Sequence, residues 1–289
     1  MSHTDQITDE YRYYLLRKRH GEALIVRAFR GFRQAGIEPI LIKGWAAARN
    51  YPEYKPRFFT DVDLAVSAAD FEKSKAFVEK EGLGGIDLHS ELRHFDTLEW
   101  SRIVENSEVV DLDGEGIRIL SAEDHLRVLS VHWLTNGGES RERLWDIAYA
   151  VRNRPAGFDW SRCLDVVSLT RRQWIIATIG VAHKYLGLEL DGLPFAEEAV
   201  DLPKWLTRCL EKEWSRNVEL RTLHSQLRYP RSLMQQIWKR IPPNPIMATV
   251  DCEGDFDHGT RAGYQIRDVF KRLIPSVQRV SATIMKRYP

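Results

Sequence analysis

Cysteine is scarce in this chain. Its three copies, Cys163, Cys209 and Cys252, lie far apart, and no Cys-x-x-Cys or Cys/His cluster accompanies them. A disulfide framework and a zinc-ribbon site are both excluded by that spacing. Long apolar runs are also missing, since no stretch approaches the ~20 residues that span a bilayer. Excess charge of one sign is absent too: 42 Lys and Arg stand against 41 Asp and Glu, for a formal net charge of +1. A global basic field for long DNA is therefore not expected, and local patches are all that composition allows. The first ten residues are polar and acidic with no apolar core, so they do not read as a signal peptide. Internal repeats and low-complexity tracts are lacking as well. The expected setting is a soluble, cytoplasmic protein without membrane partners.

What is present is a large apolar fraction, 43%, with nine tryptophans in 289 residues. That is ample for one large domain or two modest ones. Apolar residues at helical spacing predict a helix over 8–35, stopped by Gly36. A strand over 38–42, a short Ala-rich helix over 45–50 and a strand over 58–66 follow. Ser67-x-x-Asp70 has the form of a helix N-terminus, and the helix runs to Glu81. Residues 86–92 alternate, with Ile86, Leu88, Ser90 and Leu92 on one face and Asp87, His89 and Glu91 on the other. Residues 109–120 read as a hairpin turning at Asp113-Gly114. A helix capped by Ser121 runs to about residue 135. Beyond it the pattern predicts helices over 143–153, 159–169, 171–187, 194–214, 216–225 and 230–240, a connector over 241–260 and a last helix over 261–286. Mixed α/β structure thus precedes an all-helical half, which suggests two segregated lobes.

The chain is organised around Asp61-Val62-Asp63. Residues i and i+2 of a strand share a face, so Asp61 and Asp63 are expected side by side while Val62 and Leu64 pack inward. Two carboxylates that close resist joint ionisation unless a cation sits between them. Magnesium suits such a pair, because it takes one or two carboxylates and completes its shell with water and phosphates. A solvated turn at a strand end is the plainer reading of the same residues. The company favours the metal: Lys43-Gly44 at a strand-to-helix turn, Arg57 four residues before Asp61, and the acidic strand that follows.

Ile42-Lys43-Gly44, Tyr51-Pro52, Arg57 through Leu64, Asp87-Leu88-His89, Leu120 through Leu126, His132 and Arg143 through Asp146 together resemble a bacterial nucleotidyltransferase-like family. That family is uncharacterised and belongs to the DNA polymerase beta-like superfamily. The resemblance covers about residues 20–155. It implies an α+β fold, with a nucleotidyltransferase-type mixed sheet and flanking helices followed by a helical C-terminal region. The resemblance and the helical pattern together give a catalytic domain over 1–155, including the N-terminal helix, and a helical domain over 156–289. The resemblance does not extend to the second, which is expected to form much of the acceptor pocket. Asp61 and Asp63 would bind Mg2+ or Mn2+, and Asp87 would hold the catalytic ion and help deprotonate an acceptor hydroxyl. Gly44 would let backbone amides approach the phosphates of an NTP such as ATP, while Lys43 and Arg57 add positive charge. His89 and Glu91 are further candidates as ligand or base. The acceptor is a small molecule, a protein or an RNA end, with the first two favoured by the near-zero charge. One departure stands out: the wider superfamily has Gly-Ser where this chain has Lys-Gly. That leaves room for phosphoryl transfer on the same scaffold, or for an inactive NTP-binding or toxin–antitoxin interaction module.

Other polar groups read more plainly. His132 is expected as a hydrogen-bonded core histidine. Arg143 and Asp146 form an i, i+3 pair that either braces a helix against the site or sits at the surface. The acids at 251, 253, 255 and 257 fail the EF-hand spacing and read as a solvated loop. Arg171-Arg172 with Trp174, and Arg228 with Arg231 and Trp238, could touch nucleic acid or another polyanion, and exposed helix faces are the expected reading.

Overall fold

The computed structural model describes residues 9–92, 98–215 and 229–271. The expected helix over 216–225, Arg228, residues 1–8 and the last helix beyond residue 271 lie outside them. The chain divides into two compact units, Met1–Leu129 with Asp146–Ser168, and Ser130–Trp145 with Leu169–Pro289.

The first unit is built on α1 (Asp9–Gln34). Its Ile25, Ala28, Phe29 and Phe32 fall at i, i+3, i+4 and i+7, and all four are fully buried. Each large side chain among them contributes roughly 1.5–3 kcal/mol by leaving water. They cover one face of a five-stranded sheet, against Leu41, Val62, Leu64, Val66 and Ile117. Gly21 sits in the middle of this helix for a steric reason. A Cβ there would lie 2.5 Å from the Phe59 ring, which packs against the helix backbone.

The strands are β1 (Ile40–Leu41), β2 (Val62–Val66), β3 (Ile86–Ser90), β4 (Glu108–Leu112) and β5 (Glu115–Ile119), in spatial order β3-β2-β1-β5-β4. β1 runs antiparallel to β2 and parallel to β5, and β2 runs parallel to β3 through the crossover helix α3 (Phe71–Lys80). β4 and β5 form the expected hairpin, with Asp113 and Gly114 at φ 53° and 78°, the left-handed pair a tight two-residue turn requires. The opposite face carries Ile40, Ile42, Ala65 and Leu92 under Ile103 of α4 (Trp100–Asn106) and Val128 of α5 (Ala122–Thr135). Helices α6 (Leu144–Arg152) and α7 (Trp160–Leu164) follow α5. The fold is α+β with a mixed sheet, as expected.

Four local expectations change. β2 begins at Val62 rather than residue 58, because Arg57 and Phe59 turn inward to other partners instead of joining a ladder. β1 shrinks to two residues, since Glu38 is drawn off to Arg33 and Arg118. α4 was not expected at all. Leu92 packs on the face opposite Ile86 and Leu88, because Glu91 adopts a positive φ of 54° and breaks the alternation.

The second unit is helical: α8 (Leu169–Leu186), α9 (Ala196–Val200), α10 (Lys204–Ser215), α11 (Pro230–Arg240), α12 (Pro245–Asp251) and a helix over 262–271. The helix expected over 194–214 is split by Pro203, which lacks an N–H and disfavours a helical residue before it. α12 lies within the expected connector. Asn244 caps it by accepting from the Ile246 and Met247 amides, and Pro245 occupies the first turn. The acids of the loop after it are exposed, as expected, and the loop is also tethered: Glu253 pairs with Arg171, Asp255 accepts from Thr170, and Asp257 pairs with Arg261. Arg171 and Trp174 are buried, not on an exposed face, and Trp174 Nε1 donates to the Gly254 carbonyl at 2.9 Å.

Candidate functional site

The parallel register of β2 and β3 sets Asp63 directly beside Asp87, with His89 two residues further along the same face. His89 Nε2 lies 3.4 Å from Asp63 Oδ1 and 3.3 Å from Asp87 Oδ2. Ligand atoms of all three residues fall within 4.8 Å of one another. Two carboxylates and an imidazole make a donor set that fits a divalent cation such as magnesium or manganese. Lys43, at the end of β1, reaches the same place, with Nζ 2.8 Å from Asp63 Oδ1. Exposure rises across the group, from 10% and 14% for the Lys43 and Asp63 side chains to 33% for His89 and 61% for Asp87. The floor of the site is largely buried and charged, and its mouth is open.

Between Lys43 and the short helix α2 (Trp45–Ala48), Gly44 takes φ 61° and ψ −112°, a region closed to residues with a Cβ. A Cβ there would also stand 3.2 Å from the Asp61 carbonyl. Arg57 holds this turn. Its Nη1 donates to the Gly44 carbonyl at 2.9 Å, while Nε and Nη2 donate to the two Asp146 oxygens at 2.6 and 2.7 Å. The Tyr51 hydroxyl adds a third donor to Asp146, at 2.5 Å.

These contacts set the protonation states. Burial alone pushes the Asp63 carboxyl up, but the hydrogen bond from His89 and the Lys43 ammonium outweigh it and hold the group below the usual carboxylate range. Arg57 is opposed by burial, yet its bonds to Asp146 raise it overall. Nearby on α5, burial pushes His125 down to about 4, with Asp146 opposing and Arg57 and Arg49 reinforcing the shift. Its Nε2 is buried without a hydrogen-bond partner, so this imidazole is neutral at ordinary pH.

The residues singled out in the sequence therefore separate. Lys43, Asp63, Asp87 and His89 come together. Gly44 and Arg57 form the turn behind them. Asp61 stands one residue before β2, exposed, and is not among the three clustered ligands. Glu91 lies past the end of β3, where it accepts from the Ala68 amide at 3.2 Å. Asp146 does not act through an i, i+3 pair, because both its oxygens face Arg57. That partner lies 89 residues away, and no local spacing announces it. His132 is half-buried and meets Asn136 at 3.2 Å.

No curated protein matches this chain. No solved structure matches it either. No helix among the described residues is long and apolar enough to cross a membrane. A family model described as an uncharacterised nucleotidyltransferase matches residues 4–85, which include Lys43, Gly44, Arg57, Asp61 and Asp63 and stop just before Asp87 and His89. Over that segment the chain resembles an uncharacterised nucleotidyltransferase family, and the match supports a general nucleotidyltransferase role.

Proposed function

We propose that the protein is a cytoplasmic, metal-dependent nucleotidyltransferase that moves a nucleoside monophosphate from an NTP to an acceptor hydroxyl and releases pyrophosphate. The observation that carries this reading is the convergence of Asp63, Asp87 and His89 beside Lys43, one strand away from the Gly44 turn. Asp63, Asp87 and His89 would hold Mg2+ or Mn2+, with Asp61 contributing from the rim. When bound, such an ion supplies Lewis-acid stabilisation of the phosphate oxygens. Lys43 adds a point charge toward the polyphosphate. The acceptor oxygen forms its bond to the α-phosphorus as the bond from that phosphorus to the bridging oxygen breaks. Pyrophosphate leaves with the electron pair, and the hydroxyl proton passes to Asp87 or His89. Arg57 acts as a positioning residue, since its donors hold Gly44 and Asp146. A small molecule or a polypeptide side chain is favoured as acceptor, because a net charge of +1 provides little general attraction for long nucleic acids.

Lys43 supports a second reading, phosphoryl transfer. Lys43-Gly44 stands where the wider superfamily has Gly-Ser, and the Lys43 ammonium already pairs with Asp63. Purified protein incubated with α- or γ-labelled NTPs, magnesium or manganese, and size-fractionated extract separates the two. Label from the α-position on a product, lost in Asp87→Asn, is expected. Label from the γ-position alone would move the assignment to phosphoryl transfer. Metal-dependent NTP binding with no label on any product would leave a non-catalytic binding module.

A further inference from the structure

A cleft of about 440 Å³ opens on the first unit between residues 49–54 and the C-terminal turns of α6. Arg49, Arg152, Tyr51, Tyr54 and Tyr149 are among its lining residues, none of which is acidic, and Tyr149 is only 6% exposed. Its two walls are tied together. The Tyr51 and Tyr149 rings meet at 4.7 Å, and Asn153 Nδ2 donates to the Asn50 carbonyl at 2.6 Å. The cleft is therefore pre-formed, which limits what a ligand must order on binding. Arg152 lies over the Tyr149 ring at 6.0 Å, and Tyr54 is 86% exposed, offering a ring face to solvent.

Two exposed planar cations beside the exposed Tyr54 ring, without a carboxylate, select a ligand that is both anionic and flat. Guanidinium forks match phosphate oxygens, and aromatic faces stack on bases of any sequence. The carboxylate cluster at Asp63 has the opposite sign. We propose that the cleft is a nucleoside monophosphate site, with the phosphate held by Arg49 and Arg152 and the base stacked on Tyr54. One wall also touches the turn behind the carboxylates, because the Tyr51 hydroxyl donates to the Asp146 that holds Arg57. The proposal does not rest on nucleotidyl transfer, since the cleft contains none of the proposed metal ligands.

Calorimetric titration of the full chain with AMP in EDTA tests it, because chelation removes any metal-borne binding at the carboxylates. Saturable AMP binding is expected, tighter than that of inorganic phosphate or adenosine alone. The exposed pair Arg49→Ala/Arg152→Ala should abolish it, and Tyr54→Ala should weaken it by roughly five- to a hundredfold. Asp87→Asn should leave it unchanged. No AMP binding in EDTA, binding indifferent to the arginines, phosphate binding as tightly as AMP, or loss in Asp87→Asn would each overturn the proposal.

Discussion

Two cation–carboxylate pairs flank the Gly44 turn, and they differ in what remains available. In Arg57–Asp146 both side chains are almost fully buried, at 7% and 6% exposure. Each carboxylate oxygen accepts from the guanidinium, Tyr51 adds a donor, and the third guanidinium arm bonds a backbone carbonyl. In Lys43–Asp63 a single ammonium meets one carboxylate oxygen, the same oxygen faces His89, and a second carboxylate stands open to solvent. The first pair is saturated and so can only hold structure. The second is under-saturated, and that is what a site for a metal and a polyphosphate needs.

The sharpest way to break the comparison is to truncate one member of each pair. Asp146→Ala should cost about 3–5 kcal/mol, because it strands the Arg57 charge in the interior. Urea denaturation reads this directly, and a loss near zero would refute the structural role. Asp87→Asn should instead leave stability nearly unchanged, because the side chain is 61% exposed. It should lower the rate of transfer by roughly 10²–10⁴-fold if the group serves in proton transfer. A variant that unfolds, or that keeps full rate, would erase the distinction.

His125 sharpens the contrast through pH. Its folded value, near 4, lies below the ordinary 6.5, so the unfolded chain binds the proton more readily. Its contribution is present at neutral pH and is lost as pH falls from 6.5 toward 4, by about 3 kcal/mol at most. His125→Gln should flatten that part of the stability profile measured from pH 7 to 4.5. An unchanged slope would mean the ring is not held neutral. The smallest effect expected is that of Tyr51→Phe, which removes one of three donors to Asp146 and should cost about 1–3 kcal/mol. It should leave metal affinity untouched in a manganese titration.

Much of the first unit was legible because its signals are local. Ile25 through Phe32 follow a helical period, and Asp113-Gly114 can form only a tight turn. Asp87 and His89 share a strand face by simple alternation. Glu91 and Leu92 escaped the same rule because one left-handed residue resets it, and alternation carries no information about backbone handedness. Asp61 was read as the partner of Asp63 from the i, i+2 rule. That rule applies only inside a strand, and β2 starts one residue too late. In the second unit, apolar periodicity ran the expected helix past Pro203, while the Pro/Gly/Asp-rich composition of 241–260 hid the short helix that Asn244-Pro245 starts.

The sequence alone determined the α+β order of elements, the near-neutral charge, and a stretch in which Lys43, Gly44, Asp61 and Asp63 lie close along the chain. These follow from period, composition and short spacing, which residues carry with them into any fold. Tertiary structure alone decided that Asp63 meets Asp87 and His89 and that Asp146 takes both free ends of Arg57. It also brought Arg49 and Arg152 into one cleft. Those pairings join residues from 24 to over 100 positions apart. They depend on strand register and helix packing, which are settled by burying the whole core at once rather than by any local preference.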